Sequence, residues 1–222
     1  MNKKNYQKEL EKILQKIEQA GEKRSPGECC CVPALYLHSC CAPCSSYVLE
    51  YLSSYFAITV FYYNPNISEA GEYAKRAQEQ KRLVAELNAE GKRYPIQVEE
   101  GEYDPQCFYD MAEGLEECPE GGVRCFGCYE LRLRETARRA GQAGADYFCS
   151  TLSISPLKNA EKLNEIGNRL AQEYRVPWLP SDFKKKEGYK RSVELSAKYG
   201  LYRQDYCGCE FSKRQEDKVE GK

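Results

Sequence analysis

The stretch that decides the fold is residues 34–63, which read ALYLHSCCAPCSSYVLEYLSSYFAITVFYY. The runs at 34–39 and 56–63 are continuous, apolar and of strand length, which is typical of buried strands. The segment 45–55 between them has the apolar periodicity of a helix. A strand, a helix and a second strand in this order predict two parallel neighbours in one sheet.

The alternation of strands and helices continues to about residue 200. Further strands are predicted at 94–98, 145–152 and 176–180. Further helices are predicted at 69–90, 105–117, 126–142, from about 155 to 174, and at 187–199. This order predicts an α/β fold, with a parallel sheet and helices on both faces.

The two ends of the chain differ from this central part. Residues 5–20 repeat apolar side chains at the spacing of an amphipathic helix, and 21–33 have the glycine, serine and proline of a linker. We therefore expect an N-terminal helix and linker at 1–33 and a single α/β domain, carrying the chemistry, at 34–212. The charged segment 213–222 is expected to be a disordered tail.

Composition excludes several classes of protein. The chain has 33 basic and 34 acidic residues, a formal charge of -1, so it is not a highly basic nucleic-acid coat, although a local basic patch remains possible. No apolar run approaches the roughly 20 residues of a membrane span, and the N-terminus lacks the apolar core of a signal peptide. We expect a cytoplasmic protein without a membrane partner.

Cysteine is unusually frequent, with 13 residues, whereas His38 is the single histidine. In a reducing compartment, many thiols indicate metal or redox chemistry rather than disulfides. One histidine excludes zinc sites of the Cys2His2 type. His38 itself is read first as a hydrogen-bonded strand residue, with a ligand or proton-donor role left open.

The informative cysteines form short motifs. Two pairs, Cys41 with Cys44 and Cys125 with Cys128, have the spacing of metal ligands, and four converging thiolates can hold zinc or an iron–sulfur cluster. Cys40 adjoins the first pair, and CGC at 207–209 adds two more thiols, which is enough for a second metal. A single CxxC after a strand is also typical of thiol–disulfide enzymes.

Three motifs follow predicted strands and therefore belong at the same edge of the sheet. They are CCAPC at 40–44, NPN at 64–66 and SISP at 153–156. Ligands of parallel sheets bind at the carboxyl ends of the strands. We therefore expect the three motifs to share one site.

The motifs CCAPC, CFGC (125–128) and YCGCEFS (206–212), in this order and together with FYYNPNI and STLSISPLKN, resemble the epoxyqueuosine reductase family of the QueH type. The resemblance covers about residues 34–212. It implies a Rossmann-like fold similar to the nucleotide α-hydrolase (PP-loop-like) proteins, with an iron–sulfur site at the carboxyl edge of the sheet.

The resemblance also implies an activity, which is the last step of queuosine synthesis. Epoxyqueuosine at the wobble position of a tRNA is reduced to queuosine, and the epoxide oxygen leaves as water. The expected cofactors are a 4Fe–4S cluster and an adjacent metal ion, expected to be iron, without cobalamin. The expected partners are tRNA carrying epoxyqueuosine in its anticodon loop and an unidentified electron donor.

Carried onto this chain, the resemblance assigns residues to roles. The ligands of the 4Fe–4S cluster would be Cys41, Cys44, Cys125 and Cys128. The ligands of the extra metal would be Cys40, Cys207 and Cys209, a division that assumes that adjacent cysteines rarely serve one metal. The candidate proton donors are His38, Tyr73 and Asp182. The candidate contacts to phosphate or ribose are Lys158, Lys184 and Arg203.

Two other functions remain open from the residues alone. A structural zinc protein that binds RNA would use the same CxxC pairs, and iron analysis would separate it from a reductase. A thiol–disulfide oxidoreductase would use Cys41 and Cys44 and would be colourless. The three adjacent linker cysteines, Cys29, Cys30 and Cys31, have no assigned role.

Overall fold

Four parallel strands flanked by helices form the centre of the molecule. A computed structural model describes residues 4–22, 32–91 and 93–213. The strands are β1 (Ala34–Ser39), β2 (Ala57–Tyr62), β3 (Ile96–Glu100) and β4 (Tyr147–Ser150). The helices are α1 (Tyr6–Glu22), α2 (Ala42–Leu52), α3 (Ala70–Ala89), α4 (Gln106–Ala112), α5 (Val123–Gln142), α6 (Ala160–Tyr174) and α7 (Gly188–Lys198). In this part of the chain no helix is both long enough and apolar enough to cross a bilayer.

The strand order is β3-β2-β1-β4, and every neighbouring pair is parallel. This confirms the predicted parallel sheet. The chain winds outward from β1 to β3 and then crosses back to place β4 on the other side of β1. The crevice between the carboxyl ends of β1 and β4 is therefore a topological switch point, where sheets of this kind bind their ligands.

The sheet is stable because its central strands are apolar along their length. Leu37 of β1 lies in register with Val60 of β2 and Cys149 of β4, and all three are buried. Burial of such side chains contributes about 1.5–3 kcal/mol each. Cys149 therefore acts as a small core residue, as its position within a strand predicts.

The N-terminal helix α1 packs on the same core. Leu10 and Leu14 are buried in this core, and Ile13 and Ile17 are partly buried against it. An ion pair between Glu11 and Lys186 adds a polar contact. The cysteines at 29–31 lie outside the described residues, as do positions 214–222 of the expected tail.

Four predicted elements differ from the structure. The helix predicted from about residue 155 begins at Ala160, where Asn159 caps it through a hydrogen bond from Lys162 N. The strand predicted at 176–180 is reduced to one bridge between Trp178 and Phe148, because Pro177 and Pro180 have no N–H group for a ladder. The strand predicted at 145–152 ends at Ser150 and continues as a 3-10 turn, Thr151–Ile154. The helix predicted at 105–117 ends at Ala112.

Candidate metal centre

Three cysteine sulfurs meet where β1 ends and α2 begins. The Sγ atoms of Cys40 and Cys41 are 3.8 Å apart, and those of Cys40, Cys41 and Cys44 all lie within 4.8 Å of one another. Pro43 fits the first turn of α2, where a backbone N–H is not needed. The helix turn then returns Cys44 to the side of Cys41. These three side chains, the cysteine triad, could hold a metal ion.

The charges of the triad also suit a cation. Hydrogen bonds from Cys41 and Cys44 lower the pKa of Cys40. The hydrogen bond of Cys41 to Cys40, together with burial, raises the pKa of Cys41 to about 12. The hydrogen bonds of Cys44 to Cys40 and Cys41, together with burial, raise the pKa of Cys44. These hydrogen bonds favour the thiolate at Cys40 over the thiolate at Cys41 or Cys44. A bound metal would allow all three to be thiolates, since metal binding displaces thiol protons.

A second group of cysteines lines a neighbouring pocket, here called the four-cysteine pocket. Its cysteines are Cys125 and Cys128, at the start of α5, and Cys207 and Cys209, in the C-terminal loop. The backbone N–H of Gly121 donates to Cys125 Sγ at 3.2 Å. Burial raises the pKa of Cys128 to about 12. The pocket therefore collects four thiols and at least one donor to sulfur.

The C-terminal loop reaches this pocket because other segments hold it. Ser68 N donates to Gly208 O at 3.1 Å, and Arg76 Nη1 donates to Cys207 O at 3.2 Å. Gly208 has φ +115, and a Cβ there would lie 2.8 Å from Ile67 Cγ1. Only glycine suits both this conformation and this close contact. The middle residue of CGC is thus explained by the backbone.

Two buried donors of α5 have no partner at the four-cysteine pocket. Arg132 and Tyr129 both line it, and the Nη2 atom of Arg132 and the Tyr129 hydroxyl lack a hydrogen bond to any described residue. Buried donors normally have acceptors, and an unpaired buried cation is costly. Both groups fit an anionic, sulfur-ligated cofactor, so the residues present suit such a group.

The cysteine triad also lines a larger opening at the switch point, here called the switch-point pocket. It contains about 1070 Å³ of space not filled by atoms, part of it open to solvent. The loop after β4 forms one wall and supplies Leu157, which is 71% exposed. The other lining residues include Tyr189 of α7 and the C-terminal loop residues at 203–207. A bound molecule could therefore reach the triad from solvent.

All seven cysteines assigned from the sequence line one or both of these pockets, and Cys207 lines both. The edge predicted from the strand ends is confirmed: Cys40 N donates to Thr151 Oγ1 at 3.4 Å, and Asn64 Nδ2 donates to Ser39 O at 2.8 Å. Cys40 lies with Cys41 and Cys44 in the triad and shares the switch-point pocket with Cys207, whereas Cys209 lines the four-cysteine pocket. The expected division of the metal ligands stays a prediction.

His38 is buried, and both of its ring nitrogens are already hydrogen-bonded. Nε2 donates to the Tyr63 carbonyl at 3.1 Å, and Nδ1 lies 2.9 Å from Ser150 Oγ. Burial, followed by the charge of Arg132, lowers the pKa of His38 to about 3. The neutral ring joins β1 to β4 and to the residue that follows β2, and neither nitrogen is free for a metal or a substrate. This geometry does not support the suggested role as proton donor.

The other two candidate proton donors have partners outside the two pockets. The Tyr73 hydroxyl donates to Gly101 O at 3.2 Å, and Asp182 pairs with Lys184 at 2.8 Å. Among the described residues that line the two pockets, neither Tyr73 nor Asp182 occurs. Their proton-donor role stays a prediction without support from the geometry.

Two of the three basic candidates line a pocket, and the third does not. Lys158 and Arg203 line the switch-point pocket, whereas Lys184 belongs to the ion pair with Asp182. Lys158 is nearly buried, and its Nζ lies 3.3 Å from Cys207 Sγ and 3.2 Å from Glu120. Burial opposes the charge of Lys158, but the charges of Cys207 and Tyr129 nevertheless raise its pKa.

Comparison with known proteins identifies the family. The family model described as epoxyqueuosine reductase QueH matches residues 35–215. The chain belongs to the QueH family. The epoxyqueuosine reductase QueH of Staphylococcus epidermidis is 44% identical over 210 residues, which cover 94% of this chain and 84% of the relative.

Other QueH relatives match over similar lengths. The Streptococcus pyogenes protein is 41% identical over 212 residues, covering 96% of this chain and 81% of the relative. The Thermotoga maritima protein is 32% identical over 182 residues, covering 79% of this chain and 88% of the relative. The QueH match includes all seven cysteines of the two pockets, and α1 precedes it.

Sequence reasoning missed several residues of the QueH site. Arg132 follows Cys128 by four positions on α5, so both lie on one helix face, and this spacing could have revealed it. Glu120 and Gln204 carried no such signal, because each reaches the pockets from a loop. Gln204 lines the switch-point pocket together with Cys41, which is distant in sequence.

Proposed function

We propose that this QueH chain reduces epoxyqueuosine to queuosine at the wobble position of tRNA, and that the reaction takes place in the switch-point pocket. The observation that carries the location is the cysteine triad lining a pocket that opens to solvent. Conversion of the epoxide to an alkene consumes two electrons and two protons and releases one water. The site must therefore admit the nucleoside and deliver electrons and protons beside it.

The spacing of the sulfurs supports an assignment of two metal sites. A tetrahedral ion with metal–sulfur bonds of about 2.3 Å separates its sulfur ligands by about 3.8 Å. The sulfurs of Cys40 and Cys41 have this separation, 3.8 Å, so we assign the single metal ion to the triad. We assign the 4Fe–4S cluster to the four-cysteine pocket. This division replaces the one expected from the sequence.

When bound, the cluster would supply electrons one at a time, and the ion would supply a Lewis acid for the epoxide oxygen. The chain's own residues prepare the site for them. Lys158 donates to Cys207 between the two pockets and holds positive charge beside the sulfurs. The hydrogen bond of Gly121 steadies Cys125. Donors of this kind favour thiolate over thiol.

The switch-point pocket also fits an unpaired nucleotide. Proteins that read RNA loops splay bases out of the loop and stack them on aromatic side chains. Tyr189 is 42% exposed beside the pocket and supplies such a surface, with Leu157 next to it in the lining. Arg203 has no carboxylate partner among the described residues and supplies a cation for phosphate.

The experiment is a single-turnover assay under anaerobic conditions. The protein is reconstituted with iron and sulfide, its iron and sulfide are counted, and it is reduced chemically before mixing with tRNA that carries epoxyqueuosine. Mass spectrometry of the nucleosides is expected to show the loss of one oxygen atom. Cys41→Ser should abolish the conversion, whereas Cys118→Ser, in a cysteine that lines neither pocket, should retain it.

Two results would contradict the proposal. A colourless protein with stoichiometric zinc after reconstitution, and with no conversion, would favour an RNA-binding zinc protein. Conversion that survives the loss of both Cys125 and Cys128 would favour thiol–disulfide chemistry at Cys41 and Cys44.

A further inference from the structure

Arg132 is a buried cation for which the described residues provide no carboxylate. Its side chain is 1% exposed. Nε donates to Cys128 O at 3.1 Å, Nη1 donates to Asn64 Oδ1 at 3.4 Å, and Nη2 has no partner among the described residues. Arg76 is buried to a similar degree, at 2%, but it pairs with Glu72 at 2.7 Å. Arg132 therefore needs another source of negative charge.

The groups that line the four-cysteine pocket with Arg132 include four thiols. They belong to Cys125, Cys128, Cys207 and Cys209. The carboxylate in the same lining, Glu120, pairs with Lys158 instead. An anionic cluster held by these sulfurs would supply the counter-charge that Arg132 lacks.

The guanidinium is also held in place from two sides. Its Nε is fixed by the backbone of α5 and its Nη1 by Asn64, whose own Nδ2 donates to Ser39 O at 2.8 Å. Ser39 immediately precedes Cys40. This chain of hydrogen bonds connects the four-cysteine pocket to the triad, and lysine could not reproduce both ends of it.

We propose that Arg132 is a positioning residue that provides the fixed counter-charge of the cluster in the four-cysteine pocket and raises its reduction potential. A cation stabilises the reduced cluster, which is more negative, more than the oxidised one. Net charge and hydrogen bonds to sulfur are among the factors that set such potentials. The inference rests on the proposed cluster.

The first test is the midpoint potential of the reconstituted protein, measured by redox titration with visible and EPR detection. Arg132→Gln should shift the reduction equilibrium toward the oxidised form by tenfold or more, which is about 59 mV for one electron. Arg132→Lys keeps the charge and should shift it less. Arg139→Gln, in a surface arginine of α5 paired with Glu99 and Glu135, should leave it unchanged. An unchanged potential in Arg132→Gln would overturn the inference.

The second test is thermal unfolding of the full chain with and without its metals, and it applies even where Arg132→Gln loads poorly. In the metal-free chain this variant should be at least as stable as the wild type, because it removes a buried cation that lacks a full counter-charge. In the metal-loaded chain, Arg132→Gln should be less stable than the wild type. Loss of stability in both states would show a merely structural arginine and overturn the inference. A wild-type chain that binds no iron and sulfide would instead contradict the proposed function.

Discussion

The ammonium group of Lys158 lies 3.3 Å from the sulfur of Cys207, and both residues line the switch-point pocket and the four-cysteine pocket. The two pockets therefore adjoin at this contact. Glu120 accepts a hydrogen bond from the same ammonium at 3.2 Å and also lines both pockets. An electron passing from one pocket to the other would travel beside a buried cation.

Single cysteine variants should distinguish the two metal sites. Cys40→Ser should lose about one iron per chain and keep its sulfide, because the triad is assigned a single ion. Cys209→Ser should lose iron and sulfide together, because the four-cysteine pocket is assigned the cluster. Iron and sulfide analysis after anaerobic reconstitution measures both. The division expected from the sequence places Cys40 and Cys209 at one metal, and equal losses in the two variants would favour it.

Tyr189→Ala should weaken binding of the substrate tRNA. Stacking of a base on an aromatic ring contributes about 1–3 kcal/mol, so the dissociation constant should rise by roughly fivefold or more. Tyr94→Ala is a matched control, because Tyr94 has the same 42% exposure and does not line the pocket. Fluorescence anisotropy with labelled tRNA would measure both. Equal affinities of the two variants would argue against stacking at Tyr189.

His38→Gln should reduce stability without changing the pH dependence of turnover. The substitution disturbs buried hydrogen bonds to Ser150 and Tyr63, which costs about 1–3 kcal/mol. Since burial lowers the pKa of His38 to about 3, the ring stays neutral around pH 7 and does not form the imidazolium that would act as an acid. Thermal unfolding and a pH–rate profile test the two parts. If His38→Gln kept its stability but lost one side of the bell-shaped pH–rate profile, His38 would be supported as a catalytic acid.

Two glycine-to-alanine variants should have effects of opposite sign. A Cβ at Gly167 of α6 would lie 2.2 Å from Trp178 Cδ2, so Gly167→Ala should destabilise the fold by about 1–3 kcal/mol. At Gly71 of α3 no atom lies within 4 Å of an added Cβ, and Gly71→Ala should stabilise by about 0.5 kcal/mol. Denaturant unfolding of both variants and of the wild type measures the two changes in the free energy of unfolding. Equal effects would mean that Trp178 moves aside freely.

The arrangement of the fold was accessible from the sequence because its signals are local. The apolar runs of β1 and β2 and the helical period between them require no knowledge of distant residues. The meeting of CCAPC with the loop after β4 followed from a general property of parallel sheets. The apolar run at 176–180 predicts a strand, but Pro177 and Pro180 have no N–H group for a ladder, so a single bridge at Trp178 forms instead.

The grouping of the cysteines was not accessible in the same way. It depends on the path of the C-terminal loop, which Ser68 and Arg76 hold through backbone carbonyls. Nothing near Cys207 in the sequence indicates those partners. The pairing of Lys184 with Asp182 also depends on side-chain direction, which the charge pattern of the sequence does not indicate.

The packing of α1 has a practical consequence for work on this chain. The family match begins at residue 35, whereas the hydrophobic core already includes Leu10 and Leu14. A fragment cut at the start of the match would uncover the apolar surface that these leucines protect, and exposed patches of this kind promote aggregation. The start of the family model is therefore not the boundary of the folding unit, and expression of this chain should keep its first 22 residues.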